Sequence, residues 1–359
     1  MTALNPALAR AETFARSIGL RVPILLGPMA GACPPSLSIA VGNAGGLGSA
    51  GVLLMQPDAI KAWATEVRSG TNGAFNLNLW ISDPAPRRDA AAEAAVRDFL
   101  KGFGPEVKPE AADARPPDFA AQCEAMLEAS PAFISSVMGL YPPEFVQRMK
   151  AKGIKWIANI ATVTEAKAAE AAGADILVAQ GMEAGGHRGT FDAATAEATM
   201  IGLFALLPAV VDAVKLPVVA TGGIADARGV AAALLLGASA VQIGSGFLRC
   251  PEAKIAPAWA DALGRTLPEQ TRISRVFSGR PGRSIATAYV QAATAPGAPE
   301  PAPYPVQRGL TQAMRDAAVK ANNIDGIQAW AGQSSAMARA VPAGEVVNDL
   351  WNGARALLG

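Results

Sequence analysis

AAGADILVAQG, residues 171–181, and LGASAVQIGSG, residues 236–246, follow one plan: a helix end, Gly-Ala, an apolar strand, Gln, then Gly. Neither strand alternates apolar with polar residues. A continuous apolar run of this length reads as a parallel strand buried on both faces. The same kind of run recurs in VPILLGPM (22–29), LGSAGV (47–52), AFNLNLW (74–80), AFISSVM (132–138), KWIANIA (155–161) and PVVATGG (217–223). Helical segments lie between them, among them PPEFVQRMKAKG (142–153), TVTEAKAAEAAG (162–173) and DARGVAAALLLG (226–237). Each of these three ends on Gly, the residue favoured just past a helix C-terminus, and Thr162 with Glu165 suggests a capping box. Eight strands alternating with helices predict an α/β fold, a (β/α)8 TIM barrel, over an open sheet.

Two regions break the alternation. Residues 81–117 are rich in Pro, Asp and Arg and read as an insertion between the third strand and its helix. Residues 264–359 form an additional, largely helical C-terminal portion, interrupted by APGAPEPAPYP (295–305). The expected organisation is a barrel over 1–263 with 264–359 covering its mouth.

Composition narrows the function. Charged residues make up 17% of the 359 residues and apolar ones 51%, with 31 Lys and Arg against 30 Asp and Glu. No basic run tracks a phosphate backbone, so no nucleic-acid partner is expected. Cys33, Cys123 and Cys250 are far apart and the chain holds one histidine, which leaves no usual zinc site and predicts buried, unpaired thiols. The N-terminus lacks the apolar core of a secretory leader, and MIGLFALLPAVV (200–211) is too short to span a bilayer. A soluble, cytoplasmic enzyme is expected.

GLGSAG (46–51) matches the dinucleotide fingerprint formally, but a helix-like segment precedes it and a strand follows. That context is the reverse of the one the fingerprint needs. The informative glycines are Gly222 and Gly223 after the seventh strand, and Gly244 with Ser245 after the eighth. Barrel loops at these two places often hold a phosphate on backbone N–H groups, although two ordinary turns would read alike. Met29 follows the first strand, in GPMAGAC (27–33). Asn76 and Asn78 share one face of the third strand, and Gln180 and Gln242 end two others. Polar side chains inside such runs need partners, from a flat heterocycle or from neighbouring backbone. His187, the only histidine, lies in EAGGHRG (183–189), which reads as a glycine-rich, flexible loop after strand six. It reads as a general base or a partner for an anionic substrate, with Glu183 and Arg188 near enough in sequence to tune it. A structural histidine tying down the loop is the alternative.

Through PILLGPMAG, NAGGLGSAG, FNLNLW, AQGMEAGGHRGTF, PVVATGGIAD, GASAVQIGSGFL and FSGRPGRSI, the chain resembles the nitronate monooxygenase family, formerly called 2-nitropropane dioxygenases, and its class I members in particular. The resemblance covers nearly everything from Val22 onward. It implies an FMN-dependent enzyme, a flavoprotein that oxidises alkyl nitronates with dioxygen to a carbonyl compound and nitrite. Propionate 3-nitronate is the implied substrate class. On this sequence the FMN phosphate would sit on Gly222, Gly223, Gly244 and Ser245, where relatives often carry Thr in place of Ser245. Gln180, Asn78 and Gln242 would contact the flavin, with Met29 packing beside the ring and Gly185 near it. His187 matches the catalytic histidine, and Ser278 and Tyr304 would reach the substrate. The segments 81–117 and 289–309 match poorly. Flavin-dependent NAD(P)H reductases of the same superfamily, acting on enoyl-acyl-carrier-protein or quinone, are the competing reading, because fold alone does not choose a chemistry.

Overall fold

Each apolar run becomes a strand in the computed structural model, which describes residues 5–359. The first six are β1 (Ile24–Leu26), β2 (Gly48–Gly51), β3 (Phe75–Trp80), β4 (Phe133–Val137), β5 (Lys155–Ile160) and β6 (Ile176–Gln180). A two-residue strand outside the barrel, β7 (Gly186–His187), precedes β8 (Val218–Thr221) and β9 (Ala240–Ile243). All eight barrel strands are parallel, in the order β1-β9-β8-β6-β5-β4-β3-β2. A bridge between Leu25 and Leu47 closes the ring: Leu26 N–H donates to Leu47 O at 2.9 Å and Leu47 N–H to Ile24 O at 3.0 Å. The (β/α)8 barrel expected from the runs is the observed fold.

The helix ends follow from local chemistry. After Pro143–Ala151, Val163–Ala171 and Ala227–Leu235 come Gly153, Gly173 and Gly237, all with positive φ. The next N–H in each case, of Ile154, Ala174 or Ala238, reaches back to the carbonyl of Met149, Ala169 or Ala233. That six-to-one bond is the Schellman closure, and it turns the chain directly into the following strand. The capping box at Thr162 is half formed. Thr162 Oγ1 accepts the Glu165 N–H at 3.1 Å, but the Glu165 carboxylate caps Ala161 N–H (2.7 Å) and Phe191 N–H (2.8 Å) instead. Glu165 thus pins the segment that leaves the histidine loop.

GLGSAG bridges the end of the helix Pro35–Asn43 to β2, and no helix opens from it. The 81–117 insertion contains a helix, Ala90–Leu100, and a short turn at Pro109–Asp113. Its Val96, Leu100 and Val107 share an apolar cluster with Phe277, Tyr289, Val306 and Leu310. Insertion and C-terminal portion therefore form one cap. The cap also holds a sheet: β10 (Thr271–Ser274) pairs antiparallel with β11 (Gly282–Ile285), and β11 pairs with β7. The last helix, Ala343–Leu358, leaves the cap and packs in the barrel ring against Ala227–Leu235 and Pro35–Asn43, with Val347, Leu350 and Trp351 in the main core. Among the described residues the three cysteines are buried and unpaired, no acidic or His/Cys cluster could hold a metal ion, and no helix is long and apolar enough to cross a membrane.

Trp351 tests whether the chain's end belongs to the barrel. It is buried to 6% exposure, so Trp351→Ala should lower unfolding free energy by about 4 kcal/mol in urea denaturation. A change within 0.5 kcal/mol, the order seen for surface positions, would place that helix outside the cooperative core.

Candidate active site

The C-terminal ends of the barrel strands and the underside of the cap enclose a cavity of about 480 Å³. Met29, Asn78, Gln180, Gly185, His187, Gly222, Gly223, Gln242, Gly244, Ser245, Ser278 and Tyr304 all line it. A cavity of this size, with few polar groups converging on it, suits a small organic ligand.

At one end lie the turns after β8 and β9. Gly222 (φ +112°) and Gly223 (φ +71°) adopt backbone that side-chain-bearing residues avoid, and a Cβ on Gly222 would come 3.1 Å from Ala184 N and Gly181 O. Among the described residues, the N–H groups of Gly222, Gly223 and Gly244 donate to no internal acceptor. Ser245 Oγ accepts Gly332 N–H at 2.9 Å, which leaves the hydroxyl proton to donate elsewhere. Unpaired donors around a glycine concavity form an anion cradle. Met29 packs over it, since a Cβ on Gly244 would stand 3.3 Å from Met29 Sδ. Gly185 has a packing reason: a Cβ there would meet Gly332 N at 2.5 Å.

The floor is polar. Asn78 Nδ2 donates to Ser135 Oγ at 2.9 Å, and Asn76, one layer below and 1% exposed, donates to the same oxygen. Asn76 does not reach the cavity; Asn78 does. Gln180 Nε2 donates to His187 O (3.1 Å), and its Oε1 accepts Gly189 N–H (2.7 Å). Both ends of that amide thus hold the backbone around His187. Gln242 is half-buried on the cavity wall.

His187 is not on a flexible loop. It pairs with Gly282 of β11 as part of β7, and its ring stands edge-on between Trp80 and Trp330, with centroids 4.6 Å from each. Ser278 Oγ lies 2.7 Å from Nε2; the same oxygen accepts Arg280 N–H at 3.3 Å and lies 3.2 Å from Arg280 O. Ser278 is thereby saturated as the holder of the imidazole. Burial, then the cations of Arg280 and Arg308, push the His187 pKa down to about 3, so the ring is uncharged at neutral pH. The expected tuners do other work. Arg188, 1% exposed, donates to Gly181 O (2.7 Å) and Gln180 O (3.2 Å), while Glu183 caps the helix Leu203–Ala213 through Leu203 N–H at 3.0 Å.

Sequence reasoning missed Trp80, Trp330, Asp83, Arg280 and Arg308. Trp80 had a signal, because Asn76, Asn78 and Trp80 fall on one face of β3 at a spacing of two. Arg280 lies two residues after Ser278, and its guanidinium pairs with Asp83 of the insertion (2.9 and 3.0 Å) and donates to Thr190 O (3.2 Å). That pairing joins segments 197 residues apart, which no local pattern announces.

His187 and the unpaired glycine donors thus line one cavity. The family model of nitronate monooxygenase matches residues 12–353. The chain belongs to the nitronate monooxygenase family. It is 39% identical over 350 residues to a nitronate monooxygenase from Pseudomonas aeruginosa, covering 94% of this chain and 98% of that protein. It is similar in structure to a nitroalkane oxidase from Streptomyces ansochromogenes (TM-score 0.86, 34% identity, 97% of this chain and 100% of that one). FabK from Thermotoga maritima is more distant, at TM-score 0.73 and 25% identity over 97% and 96% of the two chains. The chain is an oxidoreductase of the nitronate monooxygenase family.

The Arg280–Asp83 pair carries a stability consequence. The Arg280 side chain is 2% exposed, so Asp83→Ala leaves a buried cation without its counter-charge. The expected loss is about 3 kcal/mol in chemical denaturation. A loss under about 1 kcal/mol, the scale of exposed pairs, would show that solvent screens the pair.

Proposed function

We propose that the protein binds FMN and oxidises alkyl nitronates of the propionate 3-nitronate class with dioxygen, giving a carbonyl compound and nitrite. The observation that carries this reading is an imidazole, fixed by Ser278 between two tryptophans, sharing one cavity with a cradle of unpaired glycine N–H groups. The cradle suits the cofactor phosphate: Gly222, Gly223 and Gly244 would supply N–H donors and Ser245 its hydroxyl proton. Asn78 and Gln242 would face the polar edge of the ring system, with Met29 packing beside it. FMN, when bound, supplies the acceptance of electrons from the nitronate and their delivery to dioxygen.

The protein's residues do the rest. Trp80, Trp330 and Tyr304 line the reacting end and exclude water from it. His187, neutral at working pH, takes the α-proton of a nitroalkane that enters in its neutral form. A nitronate that enters already ionised needs no such transfer, and Arg280 and Arg308 then supply favourable potential for the anion. Gln180 and Ser278 keep the ring in place for either substrate.

Two measurements test this. In an anaerobic titration of the purified holoenzyme, nitronate should bleach the flavin absorbance while NADH and NADPH do not. The opposite pattern would replace this reading with a reductase. His187→Asn should lower kcat/KM for neutral nitroethane by about 10²-fold or more, and should lower it much less for pre-formed ethyl nitronate. The ring's titration follows from the same surroundings. In the protein free of bound anions the folded pKa lies near 3, below the ordinary 6.5, so the lone imidazole of the cofactor-free protein should show no titration near pH 6.5 by NMR. A titration there would overturn the neutral, desolvated picture of the ring.

A further inference from the structure

Ser278 has one hydroxyl proton and three polar neighbours within reach of its oxygen. His187 Nε2 lies at 2.7 Å, the Arg280 carbonyl oxygen at 3.2 Å and the Arg280 backbone nitrogen at 3.3 Å. The backbone N–H can only donate, so the serine oxygen accepts there. The hydroxyl proton then goes either to Nε2 or to Arg280 O, and that choice fixes which nitrogen of the neutral ring carries its own proton. With the hydroxyl turned to Nε2, the ring proton sits on Nδ1. With it turned to Arg280 O, Nε2–H donates to Ser278 and Nδ1 is bare.

The carbonyl decides between them. Among the described residues Arg280 O accepts from no group other than Ser278, and Ser278 and Arg280 are 1% and 2% exposed. Turning the hydroxyl to Nε2 leaves a buried backbone oxygen unpaired, which disfavours that arrangement about fivefold or more. Turning it to Arg280 O makes all three contacts hydrogen bonds at once. The Arg280 main chain is held against relaxing away, because its guanidinium is fixed by both Asp83 oxygens (2.9 and 3.0 Å) and by Thr190 O (3.2 Å). Nδ1 is the atom left over. It makes no hydrogen bond among the described residues and is not sealed off from the cavity that His187 lines.

We propose that Ser278, oriented by the Arg280 main chain, locks neutral His187 in the tautomer protonated at Nε2, so that Nδ1 is the atom that exchanges a proton with the cavity. The role of Nδ1 rests on the reading of His187 as a base given above; the tautomer itself does not. Ser278 is then a positioning residue. The chain of bonds ends on a backbone carbonyl, which cannot pass a proton onward, so a proton taken at Nδ1 returns to the cavity side. Nor does the ring draw a proton from Ser278, which leaves that hydroxyl without the base a serine nucleophile needs.

His187 is the only histidine, so holoenzyme labelled with ¹⁵N-histidine yields a single pair of ring nitrogens. Long-range ¹H–¹⁵N correlation is recorded at about pH 8, above the ordinary imidazole range. It should show a bare nitrogen coupled strongly to Hε1 alone, which is Nδ1, and a protonated one coupled to both Hε1 and Hδ2, which is Nε2. A bare Nε2, or two nitrogens averaged by tautomer exchange, would overturn the proposal, and this parent spectrum decides whether or not any variant folds. Free imidazole itself leans toward the Nε2-protonated form, so a variant separates the lock from that default. In Ser278→Ala the two nitrogen shifts should move toward each other and the Nε2 proton should exchange with solvent about fivefold faster or more. Ser278→Thr should restore both. An unchanged tautomer and exchange rate in Ser278→Ala would also overturn the proposal. Turnover gives a second readout: Ser278→Ala should lower kcat/KM for neutral nitroethane about 10-fold or more, and for pre-formed ethyl nitronate much less. If the parent flavin bleached with NADH and not with nitronate, the reaction would be wrong and the spectrum would still establish the tautomer.

Discussion

A two-residue strand holds the site together. Gly186 and His187 pair with Arg283 and Gly282, and through that pairing the cap fixes the loop leaving β6. Without it, the glycines around His187 would leave the imidazole free to sample many positions. With it, the ring stands at fixed distance from two tryptophans and one serine, and Gln180 secures the backbone from the barrel side. The glycines are then a packing requirement. Gly185 lets the 331–332 backbone pass close by, and Gly189 lies where a Cβ would strike Asn159.

Arginines reinforce the same loop. Arg188 binds the carbonyls of Gln180 and Gly181, Arg283 that of Met182, and Arg280 that of Thr190. Charge-assisted bonds to carbonyls are strong, and the Met182 and Thr190 oxygens accept no backbone N–H among the described residues. Of the three arginines, Arg280 also raises the positive potential at the imidazole, together with Arg308.

The barrel was legible because it is local. Continuous apolar strands, glycine helix stops and the Gly222–Gly223 and Gly244–Ser245 turns are written within a few residues, and the predicted cavity residues came together as their strand ends implied. The cap was not legible in the same way. The insertion and the C-terminal portion share a core only after each has found the other, and Trp330 meets His187 across 143 positions of sequence. Glu183 and Arg188 misled for a related reason: proximity in sequence says little about which way a side chain turns out of a tight loop. The charges that act on His187 come from 280 and 308, where no pattern in the sequence points back to residue 187.

Burial does most to keep His187 neutral, and the cations that add to it also favour an anion in the cavity. Cations beside the ring disfavour its protonated form, and the same cations lower the free energy of any anion placed in the cavity. An anion arriving next to His187 must offset part of that field, so it raises the ring's proton affinity as it binds. Linkage makes the effect mutual, and a proton on His187 would tighten the anion by the same factor. The imidazole is therefore least basic when the cavity lacks an anion and becomes more basic as negative charge develops beside it. Under the proposed function, that is the direction in which removal of a proton from a neutral nitro compound would run, since the charge it creates would appear where the imidazolium can face it.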